Sequence, residues 1–413
     1  MSTEGARKTE ILATAATVFA ASGLRASLQE IADACGILPG SLYHHFASKE
    51  EIFIELVQEY QADLESIAAT AMQEPVAGAQ PPLARIVSLG HAIAECAIRH
   101  RAALLLTYYE PPAGSSPELV RLAHQTPTTI SAAVLATLEA ARSNGDLRPD
   151  VDLAVFADRL YQCMQHVGIG VYHRTRGAER RPAVECRMLL RGLAERAPRN
   201  AHLDRSHASR AADDLVKSWH EQEERLDDKA VLIRAVARSE FARRGYELTT
   251  VRDIAAAAGL STGTIYRLVE SKTKLLASIM RSYAETVAEG WSGILTSAST
   301  PVEKLDALLW FNINVTDRFA EEQRIQTAGL QRYPPRSSQL PMTFAAQLRL
   351  LKATLADGLR DGSLQLEGSS LDLGAHCVFA LAWTPENIVR DAGARGALRS
   401  ARDTVLRGAA RRS

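Results

Sequence analysis

The strongest constraint on this chain is a helix–turn–helix pattern that occurs twice in its 413 residues. The first copy, Ile31–Lys49, has the sequence IADACGILPGSLYHHFASK, and the second, Ile254–Lys272, has the sequence IAAAAGLSTGTIYRLVESK. Isoleucine, alanine, glycine, tyrosine, serine and lysine recur at a constant offset of 223 residues. A repeat of this length predicts two folded units in one polypeptide, each with a helix shaped to enter the DNA major groove.

The repeat continues on both sides of this pattern. Apolar residues at helical spacing precede and follow each copy, as expected for the buried faces of amphipathic helices. A Pro-Pro pair at 111–112 recurs at 334–335, and the glycine turn at 144–147 resembles the one at 361–364. The matched apolar pairs are Ile11 and Ile233, Ala15 and Ala237, Phe19 and Phe241, Ile52 and Leu275, Phe53 and Leu276, Leu56 and Ile279, and Tyr60 and Tyr283. The duplication therefore covers nearly the whole of each half.

Charge distinguishes the two copies. The chain as a whole has a formal net charge of zero, so any attraction for DNA must be local. Residues 1–60 contain four basic and eight acidic side chains, whereas residues 227–285 contain ten basic and seven acidic ones. Because phosphate neutralisation dominates affinity for DNA, we expect the second copy to bind DNA more strongly than the first.

Several classes of protein are not expected. Runs of alternating β-branched residues do not occur, so an all-α protein is predicted. The five cysteines lie far apart and are expected to be buried, reduced thiols. Neither a signal peptide nor an apolar run of about 20 residues is found, which predicts a cytoplasmic protein without a membrane segment. His44 and His45 are neighbours that point apart on a helix, so no metal or cofactor is expected.

Each copy carries its own signals for helix starts and for the turn. Ser27 and Thr250 are each followed, three residues later, by an acidic residue, which predicts a capping box. Gly36 and Gly259 permit the positive φ of a tight interhelical turn. The third helix would then present small residues to base edges, and larger polar residues to phosphates. The predicted DNA-contacting residues are Ser27, Pro39, Gly40, Ser41, Tyr43, His44 and Lys49 in the first copy, and Thr250, Thr262, Gly263, Thr264, Tyr266, Arg267 and Lys272 in the second.

Each half resembles a transcriptional regulator of the TetR family, and the whole chain resembles a tandem fusion of two such units. The first copy departs from the family pattern at Leu38, where the second has the helix-capping Ser261, although Pro39 suits the first turn. The second copy has Val269 in place of Phe46. The pattern is kept at Gly23, Ile31, Ala32, Gly36, Gly40, Tyr43, Phe46, Ser48 and Lys49, and at Gly245, Thr249, Thr250, Ile254, Ala255, Gly259, Ser261, Gly263, Tyr266, Ser271 and Lys272.

The resemblance implies an architecture for each half. An N-terminal three-helix DNA-binding domain would be followed by a helical bundle for ligand binding and dimerisation. The predicted DNA-binding domains are residues 1–50 and 227–273, and the predicted bundles are residues 51–197 and 274–413. Residues 198–226 between them are expected to be a linker, because Pro198–Asp213 lacks helical periodicity. Leu215–Arg225 could form a short charged helix that leads into the second unit.

The resemblance also implies partners. The resemblance implies a homodimer for regulators of this type. Because one chain here holds two units, we expect an intrachain pseudo-dimer, and further homodimerisation is left open. The C-terminal helices near 151–170 and 182–196 would pack on those near 371–383 and 394–407. Double-stranded operator DNA and an unidentified small-molecule effector are the expected partners. Candidate effector-binding residues, which equally fit a plain core, are Tyr108, Tyr109, Phe156, Tyr161, His166, Trp310, Phe311, Asn314, Tyr333, Phe379 and Trp383.

The expected function is therefore that of a ligand-responsive repressor acting on an asymmetric operator. The alternative is a ligand-binding or protein-interaction adaptor in which one or both helix–turn–helix units no longer bind DNA. The sequence contains no nucleophile elbow, P-loop, Rossmann fingerprint or HExxH motif, so an enzyme is not expected.

Overall fold

Helices account for almost all the regular structure in this computed structural model. It describes residues 3–22, 26–73, 80–107, 111, 115–125, 127–169, 178–223, 229–332 and 340–412. Within these ranges the only extended pairing is two isolated backbone bridges, which confirms the all-α prediction. Among the helices so described, none is both long and apolar enough to cross a membrane.

The first half of the chain, residues 3–197, begins with a three-helix unit and continues as a bundle. Its helices are α1 (Thr3–Ser22), α2 (Leu28–Ala34), α3 (Pro39–Tyr43), α4 (Lys49–Met72), α5 (Pro82–Arg99), α6 (Arg101–Thr107), α7 (Pro117–His124), α8 (Thr128–Ser143), α9 (Leu153–Ile169) and α10 (Arg181–Arg191). In the bundle, α5 packs on α9 and α10, and α4 packs on α8. Helix α6 contacts α1, which links the bundle to the three-helix unit.

The second half, residues 198–412, repeats this order with additions. Its helices are α11 (Asn200–Leu203), α12 (His207–Glu223), α13 (Lys229–Arg244), α14 (Val251–Ala257), α15 (Thr262–Leu268), α16 (Lys272–Leu295), α17 (Pro301–Arg318), α18 (Ala320–Arg332), α19 (Leu340–Arg360), α20 (Leu371–Leu381) and α21 (Glu386–Ala401), followed by a π-helical turn at Arg402–Leu406. Helices α4 and α16 both have 24 residues, and α5 and α17 both have 18.

The segment expected to be a non-helical linker is the clearest departure from the sequence prediction. Most of residues 200–223 forms α11 and α12, and α12 packs along α16 and α17. Ala208 and Ala212 are fully buried one helical turn apart, and Trp219 packs edge-on against Phe311 at 5.4 Å between ring centroids. The prediction that 198–213 lacks a helix is wrong, because Leu203, Ala208 and Ala212 are buried where α11 and α12 pack on the second bundle.

The two halves meet through their C-terminal helices. Helix α10 contacts α20 and the π-helical turn, and α9 contacts α21. Four backbone hydrogen bonds at this junction form two reciprocal pairs. In each pair, one bond has its donor in the first half and the other has its donor in the second half, and corresponding residues are 216 positions apart. The amide-to-carbonyl bonds are Leu193 to Val405 (2.8 Å), Ala409 to Leu189 (3.0 Å), Ala194 to Leu406 (2.9 Å) and Ala410 to Leu190 (2.7 Å). Such reciprocity is the hallmark of a two-fold interface.

Two glycines lie at the centre of this junction. Gly192 has φ 77° and Gly408 has φ 81°, a backbone region that favours glycine. A Cβ atom on Gly192 would lie 2.4 Å from the carbonyl carbon of Arg407, and one on Gly408 would lie 2.2 Å from that of Arg191. The main chains of the two halves can therefore approach this closely only if both residues lack a side chain.

The junction is nevertheless asymmetric at one point. Pro385 interrupts the second half where α9 of the first half is continuous, so α20 ends at Leu381 and α21 starts at Glu386. The fully buried guanidinium group of Arg159, from α9, donates to the carbonyl of Leu381 at 2.6 Å and to Thr384 Oγ1 at 3.2 Å. Arg159 of the first half thus supplies a hydrogen bond to a backbone carbonyl that the helix break leaves without an intrahelical partner in the second half.

Candidate nucleic-acid interface

The first helix–turn–helix unit, α1–α3, has the predicted start signal for its second helix. The amide of Glu30 donates to Ser27 Oγ at 3.1 Å, and the amide of Ser27 donates to Glu30 Oε2 at 2.6 Å, which completes a capping box. Hydrogen bonds to the carboxylate from the Ser27 amide and then from the Ser27 hydroxyl lower the pKa of Glu30. Gly36 makes the turn with φ 64°. The third helix then starts at Pro39 without a side-chain cap, because Leu38 precedes it.

The second helix–turn–helix unit, α13–α15, repeats this plan with a better-capped third helix. Thr250 and Asp253 form the capping box, and Gly259 makes the turn with φ 65°. The amide of Thr264 donates to Ser261 Oγ at 3.2 Å, which caps α15. Helix α15 extends over seven residues, whereas α3 has five. The pKa of Asp253 is lowered, chiefly by the hydrogen bond from the Thr250 hydroxyl.

Both third helices bury one side chain and expose most of the others. Leu42 and Ile265 pack into the core, whereas Tyr43 is 55% exposed and Tyr266 is 60% exposed. A Cβ atom on Gly40 would meet nothing within 4 Å. Packing within the chain therefore does not require glycine at this position, and an outside partner that approaches the backbone closely would explain it. The other predicted contact residues, Ser27, Ser41, His44, Thr250, Gly263 and Arg267, are also exposed, whereas Pro39, Thr262 and Thr264 are half-buried.

The two lysines predicted to contact phosphate are engaged inside the chain. Lys272 Nζ donates to the carbonyls of Tyr246 at 2.7 Å and Thr249 at 2.9 Å, and it lies 4.2 Å from the centroid of the Tyr246 ring. Lys49 Nζ donates to the carbonyl of Ala26 at 3.4 Å, and partial burial lowers its pKa. Each lysine therefore ties the start of a long helix, α4 or α16, to the loop that leads into the second helix of its unit.

The exposed charges of the two units differ as the sequence predicts. On the second unit, Arg252 and Arg267 are exposed, and Arg267 Nη2 donates to Thr264 Oγ1 at 3.4 Å beside the start of α15. On the first unit, the matching positions are Gln29 and His44. Basic residues of the first helix pair with acids in both units, since Arg7 bonds to Glu10 at 2.5 Å and Arg243 bonds to Glu240 at 2.8 Å.

In the first bundle, two of the three described candidate effector residues lie in the core. Phe156 and Tyr161 are buried, and Gln165 Nε2 donates to the hydroxyls of both Tyr161 (2.7 Å) and Tyr60 (2.8 Å). His166 is exposed and bonds the carbonyl of Gln162 in its own helix. The candidates Tyr108 and Tyr109 lie outside the described residues.

In the second bundle, the described candidates are buried or half-buried, and several of them pack against other aromatic rings. Trp310 Nε1 donates to Asp213 Oδ1 at 2.7 Å, Asn314 donates to the Trp310 carbonyl, and Phe311 fills the space beside Gly290. Phe379 and Trp383 lie against Trp291, with ring centroids 4.8 and 6.4 Å away. Tyr333 lies outside the described residues.

Two features of the first bundle were missed by sequence reasoning. A groove of about 280 Å³ opens between α4, α5 and α8, and its lining includes Thr70, Arg85 and Thr137. Separately, Asp63 of α4 meets Cys96 and His100 at the end of α5. Burial raises the pKa of Cys96 to about 12, and the hydrogen bond from His100 lowers the pKa of Asp63. The spacing Cys96-x-x-x-His100 was visible in the sequence, but its partner on another helix was not.

The fold and the exposed third helices define the chain as a tandem helix–turn–helix protein. The sequence profile of the family described as "Bacterial regulatory proteins, tetR family" matches it at residues 11–56 and again at residues 233–279. These ranges span α1 to the first turns of α4, and α13 to the first turns of α16. Each half of the chain therefore contains a helix–turn–helix domain of the TetR family.

Known relatives agree with this assignment. The HTH-type transcriptional repressor KstR2 of Rhodococcus jostii is 56% identical over 59 residues, which are 14% of this chain and 29% of the relative. KstR2 of Mycobacterium tuberculosis is 43% identical over 105 residues, which are 25% of this chain and 50% of the relative. The matches thus span half or less of the length of these relatives, which are regulators rather than enzymes.

Among solved structures, the ketosteroid transcriptional regulator KstR2 of Mycobacterium tuberculosis is similar to this chain. It superposes with a TM-score of 0.39 at 23% identity, covering 43% of this chain and 91% of that one.

Proposed function

We propose that this protein is a DNA-binding transcriptional regulator whose two halves form an intrachain pseudo-dimer on one operator. The observation that carries the proposal is the pair of helix–turn–helix units with exposed third helices, built on bundles that meet through a reciprocal junction. The relatives in R. jostii and M. tuberculosis are named repressors, which supports repression as the sign of regulation.

The junction supports pairing within one chain. Each half supplies the same hydrogen-bonding groups to the other, as two subunits of a symmetric dimer do. A covalent connection raises the effective concentration of the second half, to the order of millimolar for short flexible tethers. The Arg159 contact adds selectivity, because its acceptors, the carbonyl of Leu381 and the hydroxyl of Thr384, lie at a helix break that α9 of the first half lacks. If the first halves of two separate chains paired, two Arg159 side chains would be buried. Neither would meet the helix break whose carbonyl and hydroxyl accept its hydrogen bonds.

The differences between the two units support an asymmetric operator. In this proposal α15 contacts base edges through Thr262, Gly263 and Thr264, while Tyr266 and Arg267 bind phosphates. In the first half-site, Pro39, Gly40 and Ser41 lie nearest the bases and Tyr43 and His44 nearest the backbone. Ser27 and Thr250 hold the second helices against phosphates. The half-sites would lie about 34–36 Å apart, or a multiple of that distance.

Lys49 and Lys272 act in this proposal mainly by positioning. Their ammonium groups donate to carbonyls of the loop before the second helix, so they fix the angle between each unit and its long helix. A phosphate at the same place would add to these bonds rather than replace them.

A small-molecule effector is proposed to regulate DNA binding through the first bundle. Helix α6 connects α5 and α4 with α1, so a change in the first bundle reaches the first helix–turn–helix unit directly. The buried pair Tyr60 and Tyr161, joined through Gln165, borders that route. An effector would shift the spacing of the two units only if its affinity differs between the spacings.

The test is footprinting and gel-shift titration of the full chain on the adjacent intergenic DNA at several salt concentrations. We expect two protected segments of unlike sequence, one chain bound per operator, and affinity that falls steeply with salt. Two identical half-sites, or two chains per operator, would contradict the pseudo-dimer. Absence of binding at every ionic strength would instead favour the adaptor, for which the acidic, uncapped first unit is the supporting observation.

A further inference from the structure

We propose that the first bundle contains a transition-metal site, for zinc or a similar ion, formed by Asp63, Cys96 and His100. The three residues offer a carboxylate, a thiol and an imidazole, and their donor atoms all lie within 4.8 Å of one another. This mixture of oxygen, sulfur and nitrogen donors is typical of zinc. The proposal departs from the sequence expectation of no metal, which rested on the wide spacing of the cysteines and on the adjacent pair His44 and His45.

The local geometry brings the donors to one point. Cys96 and His100 lie four residues apart at the end of α5 and therefore share one face of that helix. His100 Nε2 lies 2.8 Å from Asp63 Oδ2 on the facing helix α4. Donor atoms around a tetrahedral zinc ion are about 3.5 Å apart, given metal–ligand bonds of roughly 2.0–2.3 Å. The 2.8 Å pair would need to separate by about 0.7 Å, and donor atoms as far apart as 4.8 Å would need to approach by about 1 Å, to admit the ion.

The surroundings suit a bound cation. The His100 side chain is 10% exposed and Cys96 is buried, whereas the Asp63 side chain is 38% exposed, so the site opens to solvent on one side. Arg99 Nη1 donates to Asp63 Oδ2 at 2.6 Å and orients the carboxylate from outside. Such outer hydrogen bonds usually support metal ligands. The open side leaves the fourth position to water or to Glu59, one turn earlier on α4.

The second half provides an internal comparison. Helices α4 and α16 correspond at an offset of 223 residues, and α5 and α17 at an offset of 219. At the three matching positions the second half has Thr286, Val315 and Phe319, a set that cannot hold a metal. The frame is otherwise kept, since Tyr60 lies 5.7 Å from the His100 ring and Tyr283 lies 5.9 Å from the Phe319 ring.

The comparison also weighs against a purely structural role. The fold tolerates three residues without metal-binding groups at this place in the second half, so packing alone does not require three metal-binding side chains. A charge network of Asp63, His100 and Arg99 would account for two of the donors but gives the nearby buried thiol of Cys96 no role beyond packing. A metal ion accounts for all three.

The experiment uses the full, tag-free chain, stripped of metal with a chelator and titrated with Zn²⁺ and with Co²⁺ as a spectroscopic probe. We expect one equivalent bound per chain and a thiolate-to-cobalt charge-transfer band. Cys96→Ser should remove that band and weaken zinc binding at least tenfold, and His100→Phe should weaken binding as much. Cys35→Ser, which alters a half-exposed thiol in the first helix–turn–helix unit, is the matched control and should bind like the wild type.

A combined variant protects the test against misfolding. Asp63→Thr, Cys96→Val and His100→Phe together give the first bundle the residues that the second bundle already packs. Its helical circular dichroism should be retained and its stoichiometric metal binding lost. Equal metal content in this variant and the wild type, or a charge-transfer band that survives in Cys96→Ser, would overturn the proposal. Neither readout depends on DNA binding, so the outcome is independent of the proposed function.

Discussion

The junction between the halves and the two helix–turn–helix units have followed different courses since the duplication. At the junction, the two copies still supply the same groups to each other, down to the paired glycines Gly192 and Gly408. In the helix–turn–helix units the backbone plan is shared, but the third helix differs in length, capping and charge. Each of these junction bonds recurs with the halves exchanged, and Gly192 lies directly against Gly408, so a change there must suit the main chains of both halves. A residue on α3 or α15 faces an outside partner and can change alone.

The largest expected effect tests the symmetry of the junction. Gly192→Ala and Gly408→Ala should each lower the free energy of unfolding by about 4 kcal/mol or more, because the added methyl group meets main-chain atoms of the other half. Denaturant unfolding monitored by circular dichroism measures both. Gly362→Ala is the control, since Gly362 has φ 74° but open space, and only strain of about 1–2 kcal/mol is expected. Tolerance of one junction variant but not the other would refute the symmetry.

The next prediction tests the divergence of the two units. Thr264→Ala, Tyr266→Ala and Arg267→Ala together should weaken operator binding roughly 100-fold, about 3 kcal/mol, because they remove base and phosphate contacts of the more basic unit. The matched set Ser41→Ala, Tyr43→Ala and His44→Ala should cost less than about tenfold. Gel-shift titrations on the same fragment compare them. Equal losses would show that the two units contribute alike.

A smaller effect should follow from exchanging the caps of the third helices. Ser261→Ala removes the hydrogen bond to the Thr264 amide and should cost about 0.5–2 kcal/mol in unfolding free energy. Leu38→Ser supplies the missing cap to α3 and should stabilise the first unit by a similar or smaller amount. Thermal unfolding of the full chain checks both. Stabilisation by Ser261→Ala would contradict the capping geometry.

The smallest effect concerns the capping boxes at low pH. The pKa values of Glu30 and Asp253 are both lowered in the folded chain, so their stabilising contributions are complete above the unfolded pKa of about 4 and disappear as the pH falls through the folded value. Glu30→Gln and Asp253→Asn should each flatten the acid limb of a stability-versus-pH curve. Asp253→Asn should have the greater effect, because Arg244 also bonds to Asp253. An unchanged acid limb in both variants would contradict the prediction.

The sequence predicted what depends on neighbours along the chain. Helix starts at Ser27, Thr250 and Ser261, and the turns at Gly36 and Gly259, follow from residues within four positions, and the structure confirms them. The start of helix α12, before the short helix expected at Leu215–Arg225, was missed because its buried residues Ala208 and Ala212 are too few to stand out among polar and charged neighbours. Its burial depends on α16 and α17, which lie many residues away.

Long-range contacts also explain the other differences. The periodicity of α9 does not indicate that Arg159 is buried, because only the break before Pro385 supplies acceptors for it. The lysines Lys49 and Lys272 were predicted from their place after a serine cap, but their hydrogen-bond partners belong to a loop 23 to 26 residues earlier. Asp63 and His100 meet for the same reason, through the packing of α4 on α5.

The reciprocal bonds of the junction can form only after both halves of the chain have been synthesised. Residues 189–194 leave the ribosome early, but their partners at 405–410 follow only after about 200 further residues have been added. At 5–20 residues per second this interval is on the order of tens of seconds. Throughout it the nascent first bundle has its mating face uncovered, which makes this face the natural place for a chaperone to bind or for two nascent chains to pair by mistake.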